Sequence, residues 1–369
     1  MSKLRTKIEM SNLHHELKLN IFSRLPVRVL CICKCVCKEW LNTISNPHFL
    51  RLHLERSMSN RQLLLLNQTS HDDDDDRPRQ QIVSFFSASL EGDLQFRTMG
   101  FVGGYIHLIP SGHGLICLVN KGNFYIFNPA MKKAIKLPKP KRSTCKGIDG
   151  GFGYIPSTNE YKLVHLYDEN ENEFAYSIKC EIFTVSDGNR SSSWKQIEAQ
   201  CPFIVRGWGV MANNKFYWMV WEGCHPELKE LIVSLDLKTE TFAFVPHPHV
   251  NSHVEGNDMF LAEVQGRLCL MDTFAHPPVT HIWILKDPMK KIWEKHCTID
   301  LTKLEGFYNE PIQIFVLGQQ NDEIVIRIQQ ELNFFNIRSK VLRRSTANLS
   351  LQRETGLCLY TDTFFSLGR

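Results

Sequence analysis

The sequence lacks long hydrophobic runs and the short motifs of the common enzyme classes. No apolar run, including the four leucines at 63–66, approaches the roughly 18 residues of a membrane-spanning helix. The N-terminus has no uninterrupted apolar h-region, so we expect a protein of the cytoplasm or nucleus with no membrane partner. G-x-S-x-G, the P-loop, a G-x-G-x-x-G after a strand and H-E-x-x-H are all absent, which favours a binding protein without catalysis or cofactor.

The 12 cysteines include no C-x-x-C pair. Eight of them are dispersed, and in a reducing compartment we expect free thiols rather than a disulfide framework. The other four alternate in "CICKCVCKEW", at Cys31, Cys33, Cys35 and Cys37. Three interpretations compete for this stretch: a metal site, a disulfide framework, or a helical module in which cysteine is a small apolar residue.

Positive charge is concentrated at the N-terminus. The net charge is +4, and residues 1–57 hold ten Lys or Arg against four Asp or Glu, so this segment carries +6 and the rest −2. An acidic protein surface or a nucleic acid would suit such a segment, but a solvated helical face explains it better. We therefore expect no nucleic-acid partner.

Helical spacing explains the N-terminal segment and its cysteines. Leu13, Leu17, Ile21 and Phe22 form one apolar stripe, Pro26 starts a second short helix, and a third runs from about Val36 until Asn46-Pro47 stops it. Positions two apart in a helix point to nearly opposite sides, so the four thiols cannot surround one zinc. Zinc survives only if the stretch is β. We expect no metal site, and cysteines that fill a helix junction.

The same segment resembles the F-box of plant F-box proteins. The resemblance lies in "IFSRLPV", then "CKCVCKEW", then "ISNPHF". It implies binding to the Skp adaptor of an SCF (cullin-RING) ubiquitin ligase. The residues that it places on the adaptor-binding face are Leu13, Leu17, Ile21, Phe22, Leu25, Pro26, Val36, Cys37 and Trp40. We expect a tail over 1–12 and a three-helix F-box over 13–56.

The remainder, 61–369, changes to β-strand patterning and repeats itself. After an acidic stretch, "HDDDDDRPRQQ" at 71–81, that predicts a solvated loop, five segments each show a strand, an Asn or Asp, a short polar turn and another strand. The markers are Asn128, Asp187, Asp236, Asp287 and Asn336. Because Asx side chains bond the backbone two residues on, the markers predict tight turns rather than catalytic groups. A second strand precedes most of them, as in "GLICL", "KFYWM", "GRLCL" and "EIVIR".

Three to four strands per period of about 50 residues indicates a β-propeller, kelch-like and of about six blades. We expect "GLCLYTDTFFSL" at the C-terminus to pair with strands from 61–100 and so close the ring. The body also resembles the F-box-associated, kelch-like domain of plant F-box proteins, through "FNPAMKKAIKLP", "GFGYIPSTNEYKLVHL" and "IVSLDLKTETF". In that family the domain receives the protein to be ubiquitinated.

The combined prediction is a non-catalytic substrate receptor of an SCF ligase. Trp208 and Trp221 flank glycines and are the candidate target-binding residues, since exposed aromatics anchor partners. A glycan- or small-molecule-sensing propeller, a degenerate F-box scaffold, and a propeller enzyme with an oligomerising head remain open. The cluster His247, His249 and His253 is metal-capable but is interpreted as an exposed loop.

Overall fold

The structure is a computed structural model. It describes residues 15–58, 62–70, 80–88, 94–102, 106–111, 113–141, 149–169, 177–187, 193–220, 231–248, 258–274, 278–302, 314–320, 322–328, 331–345 and 356–367. The predicted tail 1–12, most of the acidic stretch 71–81 and most of the histidine-rich segment lie outside these ranges.

Four short helices form the N-terminal part, called here the helical head (15–58). They are α1 (His15–Phe22), α2 (Val27–Cys33), α3 (Lys38–Ser45) and α4 (Pro47–Met58). The predicted breaks at Pro26 and Asn46 are confirmed: both residues cap helices with extended ψ angles of 148° and 131°. The prediction of three helices was wrong, because Pro47 also begins α4. Proline suits a first helical position, and the Asn46 side chain accepts the His48 amide at 2.8 Å.

The alternating cysteines are confirmed as part of a helical segment. Cys31 and Cys33 lie half-buried in α2, and Cys37 is the N-cap of α3, where its sulfur accepts the Trp40 amide at 3.5 Å. Cys35 and Cys37 are exposed, so the prediction that all four fill a helix junction was wrong for these two. The physical reason is that α2 ends at Cys33 and the following turn carries the chain out to the surface. Within the described ranges, no three His, Cys, Asp or Glu are grouped so as to hold a metal ion.

The rest of the described chain, called here the sheet domain, is built of 24 strands. They are β1 (Gln62–Ser70), β2 (Gln80–Ala88), β3 (Leu94–Val102), β4 (Ile106–Pro110), β5 (Ile116–Asn120), β6 (Asn123–Asn128), β7 (Lys133–Lys136), β8 (Asp149–Ile155), β9 (Glu160–Asp168), β10 (Ile178–Ser186), β11 (Lys195–Gln196), β12 (Val205–Ala212), β13 (Lys215–Val220), β14 (Leu231–Asp236), β15 (Thr241–Pro246), β16 (Asp258–Val264), β17 (Arg267–Phe274), β18 (Val279–Asp287), β19 (Ile292–Asp300), β20 (Ile314–Gln320), β21 (Glu323–Ile328), β22 (Glu331–Asn336), β23 (Val341–Arg344) and β24 (Gly356–Tyr360). None of the described helices is long and apolar enough to span a bilayer.

The strands form four sheets of four strands and one of eight. Each four-stranded unit is antiparallel and takes its strands from successive parts of the chain, except that β24 pairs with β1 in the order β24-β1-β2-β3. The predicted pairing of the C-terminus with the 61–100 region is therefore confirmed, with Leu359 opposite Leu63. The strand signatures "GLICL", "KFYWM", "GRLCL" and "EIVIR" contribute to the second strands of their units.

The eight-stranded sheet joins two units that the repeat pattern predicts as separate. β8 and β12 pair in parallel over two positions, Trp208 with Gly150 and Gly209 with Gly151. The absence of a side chain at Gly151 matters here, because a Cβ would lie 2.6 Å from the Phe216 ring of β13 and 3.4 Å from the Gly209 carbonyl oxygen of β12. Gly151 and Gly209 therefore lie where the two units join into one sheet.

The first strands of the units contact one another in order. Contacts run from β24 to β4, β8, β12, β16 and β20, and from β20 back to β24, so the series returns to its start. Apolar side chains fill the spaces between units: Val264 and Met271 pack with Ile324 and Ile326 across one such space. Burial between sheets is the main source of stability in this domain.

The Asn and Asp markers form the predicted turns. Asp236, Asp287 and Asn336 each accept the backbone amide two residues on, at 2.9, 2.9 and 3.1 Å. Asn128 accepts the amide of Met131, three residues on, at 3.1 Å. The residue four positions after each of these markers has a positive φ, between 54° and 57°, at Lys132, Glu240, Lys291 and Lys340. One local turn is thus repeated in four units. Asp187 differs and accepts the distant Ser366 amide at 2.7 Å.

Candidate protein-docking surfaces

Exposed apolar side chains are concentrated on the helical head. Of the ten large hydrophobic residues that are exposed in the described ranges, six lie in this segment. They form the group called here the helical apolar surface: Leu17, Ile21, Val29, Ile32, Val36 and Leu41. Ile32 and Val36 are the most exposed of the six, at 69% and 61%. Exposed apolar residues concentrated on a small domain make this group a candidate protein-docking surface.

A compact core supports the helical apolar surface. Phe22, Leu30, Ile44 and Phe49 are buried, and Trp40 packs edge-on against Phe22 with ring centroids 4.9 Å apart. Each of the four helices contributes one of these buried side chains, so the exposed apolar side chains lie on a packed, rigid core. The surface is therefore preorganised, which lowers the entropy cost of binding.

A partly buried ion pair also links α1 to α3. The Lys18 side chain is 4% exposed and its ammonium lies 2.5 Å from the Glu39 carboxylate, whose side chain is 54% exposed. The pair spans 21 positions of sequence and fixes one helix against the other. Removing Glu39 alone would leave the ammonium buried without this partner, which is costly.

The residues that the sequence assigned to the adaptor face fall into three groups. Leu17, Ile21, Pro26, Val36 and Cys37 are exposed, Leu25 and Trp40 are half-buried, and Phe22 is buried. Leu13 lies outside the described residues. In this structure Phe22 supports the surface from below rather than presenting its ring to a partner.

Val29, Ile32 and Leu41 are exposed on the head but are absent from the residues predicted to form the adaptor-binding face. Val29 and Ile32 are three residues apart in α2, whose opposite side buries Val27 and Leu30. The signal was present in the sequence, because a short helix with apolar side chains on opposite sides can bury only one of those sides in its own domain.

The C-terminal residues 361–367, called here the C-terminal strap, lie between the head and the sheets. The Phe364 ring faces the head: it lies 5.3 Å from the His53 ring, and the Lys34 ammonium lies 4.7 Å from its centroid. The Phe365 ring faces the sheets and meets Tyr161 edge-on at 4.8 Å. The two domains therefore share this segment as a common layer.

His53 is a buried polar residue of the head that contacts the strap. Its Nε2 lies 2.9 Å from the Leu25 carbonyl oxygen and its Nδ1 lies 3.4 Å from the Ser57 hydroxyl. Burial lowers the pKa of His53, and its hydrogen bond to Leu25 and the nearby charge of Asp362 only partly oppose this effect. The lowered pKa favours the neutral imidazole at pH 7.

The head occupies one end of the sheet domain. It touches the turn after β6, where Cys31 Sγ lies 3.7 Å from Met131 Sδ, and the strap reaches the equivalent position after β10 at Asp187. Because β12 runs parallel to β8, the Asp236 turn lies at the same end of the eight-stranded sheet. The C-terminal ends of β9 and β13, which precede the connections 170–176 and 221–230, therefore face away from the head.

Of the two tryptophans predicted to bind a target, one can be placed. Trp208 is half-buried in β12 and packs against an apolar cluster to which β4–β6, β8–β10 and the strap contribute buried side chains. Trp221 directly follows Val220, the last residue of β13, and lies outside the described residues. The structure does not bring Trp208 to a protruding position, because its pairing with Gly150 holds it in the sheet.

Two buried titratable groups in the sheet domain have strongly shifted pKa values. Asp272 on β17 is fully buried, neither carboxylate oxygen has a hydrogen-bond partner, and burial raises its pKa to about 6. His165 on β9 is 2% exposed, and burial lowers its pKa to about 4. They belong to different sheets, so this pair does not form a general acid and base at one site.

Comparison with known proteins matches both parts of the chain. Residues 10–52 match the F-box domain, and residues 55–351 match the F-box associated beta propeller domain. "F-box protein CPR1" of Arabidopsis thaliana is 26% identical over 349 residues, which cover 87% of this chain and 81% of that protein. "F-box protein DOR" of the same plant is 24% identical over 353 residues, covering 89% and 86%.

Among solved structures, the type-IX secretion component PorZ of Porphyromonas gingivalis aligns with 72% of this chain and 31% of its own. The TM-score is 0.40 and the identity 9%, a similarity too low to support an argument about fold or function.

Proposed function

This chain belongs to the F-box proteins that carry an F-box associated beta propeller domain, and on that premise we propose that it is the substrate-recognition subunit of an SCF ubiquitin ligase. F-box proteins are typically non-catalytic adaptor subunits. The helical apolar surface would bind the Skp adaptor, and the sheet domain would bind a target protein in the cytoplasm or nucleus. The observation that carries the proposal is the concentration of exposed apolar side chains on a head that matches the F-box domain.

The mechanism is proximity. A receptor that holds a target and the transfer machinery in one complex raises the local concentration of target lysines near the charged ubiquitin. No residue of this chain would then form or break a covalent bond. The buried, shifted groups Asp272 and His165 would be structural rather than catalytic.

We propose that the six four-stranded units are the blades of a propeller. The support is the contact series of the first strands, which returns to its start, and the strand β24, which completes the unit of β1–β3. Radial closure removes exposed sheet edges at the centre and joins the two ends of the chain. The target would bind at the strand ends that face away from the head, since loops there are free of the head contacts.

Adaptor binding is tested with a surface variant that spares the core. Val36→Asp together with Leu17→Asp places two charges on the helical apolar surface, where the parent side chains are 61% and 54% exposed. We expect loss of co-purification with the Skp adaptor, at least about 100-fold in affinity, because each charge would be desolvated in an apolar interface.

Met289→Asp is the matched control. Met289 is 85% exposed on the sheet domain, so this variant also replaces an exposed apolar side chain by aspartate, but outside the head. This variant should bind the adaptor as the parent does. Adaptor binding by the Val36 and Leu17 variant at the parent level would refute the assignment of the surface, and failure of the parent itself would favour a non-ligase scaffold.

A further inference from the structure

We propose that the C-terminal strap fixes the orientation of the helical head on the sheet domain, with Phe364 as the positioning residue. The consequence for ubiquitin transfer rests on the proposed function, whereas the mechanical role does not. The strap is the last described part of the chain, and it is built into both domains rather than lying on the surface of either.

On the sheet side the strap is held by its backbone. The Asn128 amide nitrogen donates to the carbonyl oxygens of Thr363 and Phe365, at 3.2 and 2.9 Å. The Ser366 amide donates to Asp187 at 2.7 Å. Two different units of the sheet domain therefore bind the same short segment, which fixes its register as well as its position.

Apolar packing on the sheet side adds to these hydrogen bonds. Phe365 and Leu367 are 5% and 3% exposed and belong to the cluster to which β4–β6 and β8–β10 contribute buried side chains. Gly114 provides the space for the strap, since a Cβ there would lie 2.6 Å from the Thr361 carbonyl oxygen. The groove is shaped for a backbone that passes at close range.

On the head side the aromatic contact of the strap is made by Phe364. This side chain packs against the cluster that contains Phe22, Leu30 and Ile44. It also contacts the His53 ring on α4 and the Lys34 ammonium after α2. Phe364 thus touches the same core that supports the helical apolar surface, so its ring connects that core to the strap.

The arrangement depends on neighbouring residues that point in opposite directions. Phe364 enters the head and Phe365 enters the sheet domain, as alternate side chains of an extended segment do. Further links between the domains accompany this ring. Leu54 packs on the sheet cluster that includes Phe365, and Cys31 meets Met131. The charges of Asp362 and Arg51 act across the boundary on His53 and Tyr154. Without the Phe364 ring these links would act as a hinge rather than a clamp.

For the proposed ligase, this clamp would determine which target lysines reach the ubiquitin-charged enzyme. A rigid connection converts binding at a distant surface into a defined approach, and small misplacements are costly in such positioning. The role of Phe364 is therefore distinct from binding either partner.

The mechanical role is tested by distance measurements on the full chain. Spin labels on unnatural amino acids at Asn42 and Lys238, both exposed, report the separation of head and sheet domain by double electron–electron resonance. The parent should give one narrow distribution. Phe364→Ala should broaden it at least about twofold, because the ring is the connection that fills the head side of the strap.

Phe244→Ala is the matched control. Phe244 is 36% exposed on β15, so the substitution removes a phenylalanine side chain that does not belong to the strap. It should leave the distribution unchanged. Phe364→Leu retains apolar volume and serves if the alanine variant does not fold; it should broaden the distribution less than alanine would. An unchanged, narrow distribution in a folded Phe364→Ala or Phe364→Leu chain would overturn the proposal.

The consequence for ubiquitin transfer is measured separately. In a reaction with Skp adaptor, cullin, RING protein, charged enzyme and ubiquitin, the modified lysines of the chain itself are mapped by mass spectrometry. Phe364→Ala should retain adaptor binding yet spread modification over more lysines of the sheet domain, whereas an unchanged lysine pattern would refute the positioning role. If the parent does not bind the adaptor, the proposed function fails, while the distance measurements still decide the clamp.

Discussion

Replacing Asn128 by aspartate isolates the interaction that holds the strap on the sheets. Asn128 is fully buried, its carbonyl oxygen accepts the Met131 amide, and its amide nitrogen donates to two strap carbonyls. In N128D the acceptor remains, so the local turn can still form. The donor is replaced by an oxygen that faces the Thr363 and Phe365 carbonyls.

The cost follows from these contacts. Loss of two hydrogen bonds contributes about 1 kcal/mol each, and a buried carboxylate without a partner adds several more. We therefore expect the free energy of unfolding to fall by about 3 to 5 kcal/mol at pH 7.5. Burial should raise the pKa of the introduced carboxyl, so the penalty grows as pH rises through that pKa and is smaller at pH 5, where a protonated group can donate one bond.

Asp236→Asn is the control, because it makes the reverse exchange in the equivalent turn of another unit. Asp236 accepts the amides of Lys238 and Thr239 at 2.9 and 3.2 Å, and an asparagine keeps this acceptor. Its ion pair with Lys215, at 3.1 Å, is partly exposed, so its loss should cost below about 1 kcal/mol. Urea unfolding followed by circular dichroism and by tryptophan fluorescence measures both variants. If N128D is no less stable than Asp236→Asn, the proposed strap contact does not stabilise the fold.

Two further predictions concern pH. Since burial raises the pKa of Asp272 to about 6, the folded protein binds this proton more tightly than the unfolded chain does, and stability is lost as pH rises from about 4 through 6. Asp272→Asn should therefore raise the free energy of unfolding by about 1 to 3 kcal/mol at pH 7.5 and by less near pH 4. Thermal midpoints that do not change with the mutation would contradict this prediction. His53 has the opposite sign: burial lowers its pKa, so the stability that its neutral form provides is present above the ordinary value of about 6.5 and is lost below it. In His53→Gln, which cannot gain a proton, the fall in melting temperature between pH 7 and pH 5 should be smaller than in the parent, and an equal fall would exclude His53 as the source.

The sequence pattern predicts many of the apolar residues of the candidate adaptor surface. It does not predict which of them are buried in the core and which are exposed for contact. The stripe of Leu17, Ile21 and Phe22 indicates one apolar side of a helix. Helical periodicity predicts the direction of each side chain around the helix axis, but it does not predict which other helices pack against that side. Packing against Trp40 places Phe22 in the core and leaves the other two in water. Adjacent members of one stripe thus receive different roles.

The predicted target-binding residues show a similar limit. Trp208 flanks glycines, which indicated an exposed aromatic able to anchor a partner, yet Gly209 and Gly151 lie in the parallel pairing of β12 with β8. A glycine in a strand is compatible with a turn, a bulge or the close approach of another backbone. Only the partner strand distinguishes these cases.

The sequence alone determined the features that depend on a few neighbouring residues. Proline lacks an amide hydrogen and therefore ended and started helices at Pro26 and Pro47. The side chains of Asp236, Asp287 and Asn336 formed turns by accepting the amide two residues on. The tertiary structure decided what joins distant parts: the contact of Asn128 with Phe365, 237 positions away, and the insertion of Phe364 between two domains. Such contacts depend on how the sheets stack and on where the chain end returns, and these are set by burial summed over the whole molecule rather than by any local pattern.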